Sequence, residues 1–72
     1  IRNQGKYEES VRAYYEALRL RPVYPDALEY LGEAYVQMGR IDEARRLLER
    51  LRELGAPEAE DLAHAIAGAP SR

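Results

Sequence analysis

The chain has 72 residues, no cysteine, a formal net charge of -2 at pH 7 and 33% charged residues. A domain this short buries only about 60% of the surface its unfolded chain exposes, and without cysteine it has neither disulfides nor a thiolate metal site to supplement a small core. The slightly acidic balance gives no broad basic footprint, which argues against nucleic acid or an anionic membrane as the main partner.

Turn-forming residues punctuate the chain at Gly5, Pro22 with Pro25, Gly39, Gly55 with Pro57, and Gly68 with Pro70. Between the first two marks, Tyr7, Val11, Tyr14, Tyr15 and Leu18 recur at spacings of three and four, which predicts an amphipathic helix over 7–20. The second pattern, 26–38, carries the apolar stripe Leu28, Leu31, Tyr35 and Met38. Asp26 with Glu29 forms a candidate capping box there, and Pro25 suits the helix entry. The third, 41–54, turns Ile41, Ala44, Leu47, Leu48, Leu51 and Leu54 inward, with Asp42 as its expected N-cap. Its other face alternates arginine and glutamate, Arg45, Arg46, Glu49, Arg50, Arg52 and Glu53, as a solvated helix face does. The fourth runs from about 58 to 67, with Glu58, Glu60 and Asp61 near its positive end and Leu62, Ala65 and Ile66 inward. Nothing alternates with period two, so the expected fold class is all-α.

The helices repeat at an offset of 34 residues. Gly5 pairs with Gly39, Tyr7 with Ile41, Glu9 with Glu43, Ser10 with Ala44, Arg12 with Arg46, Tyr14 with Leu48, Leu20 with Leu54, Asp26 with Glu60 and Leu28 with Leu62. This is the length of a helix-turn-helix unit in a stacking array, an architecture that builds binding surfaces more often than reaction centres. With Leu28, Leu31, Gly32 and Tyr35 followed by Ala44 and Leu48, and an earlier half reading Gly5, Tyr7, Ser10, Tyr14, Ala17 and Pro22, the chain resembles the tetratricopeptide repeat family. Leu28 stands where the family often has tryptophan, Leu51 where it often has alanine, and Pro57 is one residue later than the period requires.

The resemblance implies antiparallel helix-turn-helix repeats forming a short right-handed α-solenoid in one domain, 1–72. Residues 1–22 would be the second half of a truncated repeat, 25–56 a full repeat, 58–68 a capping helix and 69–72 a tail. The small residues Gly32, Ser10, Ala17 and Ala44 would sit where paired helices come close. The resemblance further implies a concave groove lined by Asp26, Glu29, Tyr30, Glu33 and Gln37, joined by Glu60 and His64 and, at the other end, by Arg2 and Asn3. A helical wheel places Asp26, Tyr30, Glu33 and Gln37 opposite the Leu28, Leu31, Tyr35 stripe; the bland alternative is an ordinary solvated face. The carboxylate clamp of chaperone-binding relatives is not expected, because that surface carries Glu and Tyr in place of lysine, arginine and asparagine.

Catalytic chemistry is not expected. The chain has no threonine, its serines are Ser10 and Ser71, and His64 is its only histidine. Glu60 or Asp61 could share a face with His64, but two or three ligands on a short helix make a weak metal site, so no catalytic residue, metal or cofactor is assigned. The expected partner is a protein or peptide offering a basic or polar segment, with no nucleic acid and no membrane insertion. A second expectation is self-association. The first helix lacks most of a partner helix, so Tyr7, Val11, Tyr15 and Leu18 would form an uncovered apolar strip through which two chains pair as a homodimer. Beginning at Ile1, the chain reads as a piece of a longer protein, so its compartment, cytoplasmic or periplasmic, is left open. Lys6 is the only lysine, an arginine-rich usage that suggests a bacterial source.

Overall fold

The computed structural model describes residues 4–69. It contains α1 (Gln4–Leu20), α2 (Pro25–Gln37), α3 (Ile41–Glu53) and α4 (Glu58–Ala67), and the described residues include no strand. The fold is all-α, built as packed helix-turn-helix units. α2 is the hub: it packs against α1, α3 and α4, α3 also packs against α4, and α1 touches α2 alone.

Two glycines set the sharp turns. Gly39 ends α2 at φ 79° and Gly55 ends α3 at φ 67°. Each is followed by a backbone N–H that reaches back five residues, Arg40 to the Tyr35 carbonyl at 2.8 Å and Ala56 to the Leu51 carbonyl at 3.1 Å. These bonds satisfy carbonyls that the helix ends leave free. A Cβ at Gly39 would meet nothing within 4 Å, so strain there is purely torsional. Gly39→Ala is expected to cost about 1–2 kcal/mol, measured as a shift in urea midpoint at unchanged m-value.

The core has two clusters. Leu28, Leu48, Leu51, Ala59 and Leu62 form one; Leu31, Tyr35, Val36 and Ala44 form the other, with Leu18 and Ile66 packed against both. Ile41, Leu47 and Leu54, expected inward, are half-buried. The small residue that brings helices together on α2 is Gly32, and its neighbour lies on α4: a Cβ there would stand 2.6 Å from Leu62 Cδ2. The glycine therefore serves the contact between α2 and α4.

Three local expectations are corrected. α1 begins at Gln4 and runs through Gly5, whose backbone is helical and not left-handed as at Gly39 and Gly55. Asp26 is not the N-cap of α2: Tyr24 takes that place without a side-chain hydrogen bond, and Pro25 fixes the first helical turn one residue earlier. Arg40 likewise replaces Asp42 as the N-cap residue of α3. Asp26 and Asp42 both fall inside the first turn, where their charge still favours the positive helix end. The α3 surface forms ion pairs from Arg45 to Asp42 at 3.8 Å and from Arg50 to Glu53 at 3.9 Å, exposed contacts worth a few tenths of a kcal/mol each.

Candidate functional site

α2 turns one face to its neighbours, where Ala27, Leu28, Leu31, Gly32, Ala34, Tyr35 and Val36 are buried, and leaves the opposite face open. Asp26 and Gln37 are exposed, Tyr30 is half-exposed, and Glu29 and Glu33 are partly covered. α4 brings two further carboxylates to this face: Asp61 and Glu58 both raise the Glu29 proton affinity. Burial comes first, then a hydrogen bond and charge repulsion from Glu33, then Asp61 and Glu58; together they push the Glu29 carboxyl up to about 7. The Tyr30 phenol is raised as well, first by the charge of Glu29 and then by Asp26.

This face is negative and unneutralised. Among the described residues the ion pairs are Arg19 with Glu16, Arg40 with Glu43, Arg45 with Asp42 and Arg50 with Glu53. None of them uses Asp26, Glu29, Glu33, Glu58 or Asp61. Clustered carboxylates that hold one another's protons attract a cation, since a positive group relieves repulsion that the free protein cannot.

Beside the acidic face, α1 and α2 enclose a trough of roughly 250 Å³. α1 supplies Tyr7, Ser10 and Tyr14; α2 supplies Tyr30, Glu33, Ala34 and Gln37. Tyr14 stacks on Tyr30 with ring centroids 6.1 Å apart, within the range of favourable offset stacking. Tyr30 is therefore held from below by α1.

Asp26, Glu29, Tyr30 and Glu33 stand together as one electrostatic unit, and Gln37 joins Tyr30 and Glu33 in the trough. Glu60 and His64 do not join them. They line a separate open depression with Arg52, Gly55 and Ala56 at the end of α3. Glu58 and Asp61 are the α4 carboxylates whose charge reaches Glu29. Their three-residue spacing along α4 was the available signal, since it puts them on one flank. Arg2 and Asn3 lie outside the described residues. No group of three or more metal-ligating side chains occurs among the described residues, and no described helix is long and apolar enough to cross a membrane.

Tyr7, Val11, Tyr15 and Leu18 do not share an open strip. Tyr7 lines the trough, Val11 packs against the cluster of Leu31 and Tyr35, and Leu18 packs into both core clusters. Tyr15 is 52% exposed, yet its hydroxyl shares a 2.6 Å hydrogen bond with that of Tyr35. Burial, then this bond, push the Tyr35 phenol up to about 12. The reason is rotational: α2 packs over Val11, Tyr14 and Leu18, and Ser10 and the outer edge of Tyr14 border the trough.

A family model described as "Tetratricopeptide repeat" matches residues 2–68. No curated protein and no solved structure matches the chain.

Proposed function

Since the chain belongs to the tetratricopeptide repeat family, whose repeats are generally protein–protein interaction modules and typically non-catalytic, we propose that it binds a basic peptide or partner segment on the acidic face of α2 and α4. The observation that carries this reading is the unpaired carboxylate cluster Glu29, Glu33, Glu58 and Asp61, with Asp26 alongside. Long-range attraction steers a cationic segment to such a surface, and a lysine or arginine placed between Glu29 and Glu33 removes their mutual repulsion. Tyr30, braced by Tyr14, offers a rigid aromatic contact with little entropy left to lose. Gln37 extends the polar rim of the same helix.

The test is titration of an arginine-rich peptide into the wild type and into the double variant Glu29→Lys with Glu33→Lys. Reversing both charges is expected to weaken binding by about tenfold or more, and raising salt from about 0.05 to 0.5 M should weaken the wild type and leave the variant nearly unaffected. Equal affinities for the two proteins, insensitive to salt, would refute an electrostatic groove.

A second reading, association of two chains through the first helix, has its own supporting observation in the tyrosine-lined trough. The aromatic rings there are partly exposed beside Ala34, which is nearly fully buried.

A further inference from the structure

The internal repeat says what shape covers the trough. Offset by 34 residues, Tyr7, Ser10, Tyr14 and Ala17 of α1 correspond to Ile41, Ala44, Leu48 and Leu51 of α3. On α3, Ala44 and Leu51 have no exposed surface and Leu48 retains 8%, because α2 packs across Ala44 and α2 together with α4 covers Leu48 and Leu51. On α1, Ser10, Tyr14 and Ala17 remain partly exposed, and no described helix stands to α1 as α2 stands to α3. The trough is thus a helix seat with a small residue at its centre and a bulky one a turn away on either side.

We infer that this seat is filled by α1 of a second copy of the chain, the two helices crossing antiparallel at Ser10. The inference rests on the self-association reading and assigns its face. The seat is self-complementary: Ser10 lies one turn from Tyr7 and one turn from Tyr14, so an antiparallel crossing sets Tyr7 of each copy beside Tyr14 of the other. Small side chains at the crossing allow close approach of the helix axes. The remaining surfaces of the chain fit the seat poorly, since the outer face of α3 is arginine and glutamate and the open side of α4 offers alanines with Glu60 and His64.

Charge favours the same pairing. Lys6, exposed and adjacent to Tyr7, is carried by the crossing toward Tyr14 and Tyr30 of the other copy, where Glu29, Asp26 and Glu33 bear on Tyr30. A two-fold contact uses each patch once and closes.

The absence of cysteine makes the test direct. Ser10→Cys is nearly isosteric and introduces a lone thiol at the crossing, within disulfide reach of its copy; Glu49→Cys puts one on the exposed side of α3. Sedimentation equilibrium of the wild type is expected to show the mass doubling as concentration rises through the micromolar range. Under mild oxidation, Ser10→Cys should form covalent dimer about tenfold faster than Glu49→Cys. Tyr14→Glu should sediment as a monomer with helical circular dichroism retained. A wild type that stays monomeric at every concentration would sink both the self-association reading and this geometry, leaving the seat to a different helix. A dimer in which Ser10→Cys links no faster than Glu49→Cys would sink this geometry alone.

Discussion

Leu62→Ala is expected to be among the most damaging single substitutions in the chain, costing about 2–5 kcal/mol. A domain of this length commands only roughly 4–11 kcal/mol in total, at 0.05–0.15 kcal/mol per residue. Leu62 is fully buried among Leu28, Leu48, Leu51 and Ala59, and α4 is held by α2 and α3 alone. The methyl groups of Leu62 occupy the space that a Cβ on Gly32 would need, 2.6 and 2.7 Å from it. Gly32→Ala therefore meets two opposed effects: about 1 kcal/mol gained in helix propensity and an overpacking cost of about 1–3 kcal/mol. In the Leu62→Ala background the clash is gone and only the gain remains. Urea denaturation of the four proteins in this cycle should give a coupling of at least about 1 kcal/mol, with Gly32→Ala harmful or neutral in the wild type and stabilising beside Ala at 62. Identical effects of Gly32→Ala in the two backgrounds would contradict this packing.

The helices were legible because their apolar residues recur with one period and because α2 has to bury most of its circumference. α4 occupies the span that the spacing of Leu62, Ala65 and Ile66 predicts, Glu58–Ala67. Residue type alone misled at the helix starts. Aspartate is a strong N-cap former, yet the backbone entry at Pro25 and Ile41 puts Asp26 and Asp42 in the second helical position, past the cap. Glycine misled in the same way at Gly5: the 34-residue match to Gly39 suggested a turn, but a left-handed backbone is required only where one helix must reverse into another.

The site was half legible for a related reason. The open face of α2 follows from its own wheel, so Asp26, Glu29, Tyr30 and Glu33 could be read off α2 directly. Glu60 and His64 were carried over from the repeat. At the 34-residue offset Leu62 keeps the inward place of Leu28, both in one core cluster, and Glu60 and His64 are exposed as Asp26 and Tyr30 are. Which flank of α4 meets α2 depends on packing between the helices: the charges of Glu58 and Asp61 reach Glu29, and Glu60 and His64 line a depression with Arg52. On α1 the half-buried Ser10 and Tyr14 border the trough, a placement set by how α2 packs on α1 and not by the wheel of α1 alone.

Glu29 links the stability of the free protein to its proposed function. Its carboxyl sits at about 7 in the folded chain against an ordinary value of 4.5, so between those limits the native state holds a proton that the unfolded chain has released. Stability from this group is then complete below about pH 4.5 and is lost as pH rises through 7. Above pH 7 the ionised cluster should weaken the fold by about 1–2 kcal/mol, a figure reduced from the full linkage value for solvent screening of a partly covered group. Glu29→Gln removes the charge and keeps the shape. It is expected to raise the thermal midpoint at pH 8 and to lie within error of the wild type at pH 5, whereas a stabilising ion pair at Glu29 would give the opposite sign at pH 8. Binding should invert the preference. A cationic peptide favours the ionised carboxylate, so near pH 7 its binding to wild type expels a proton, and the calorimetric enthalpy should track the ionisation enthalpy of the buffer. Glu29→Gln should bind the same peptide more weakly and with no such buffer dependence. A protein stabilised by the substitution and yet poorer at binding is what a carboxylate cluster maintained for a cationic partner predicts; unchanged binding by the stabilised variant would mean that the repulsion at Glu29 serves no basic ligand.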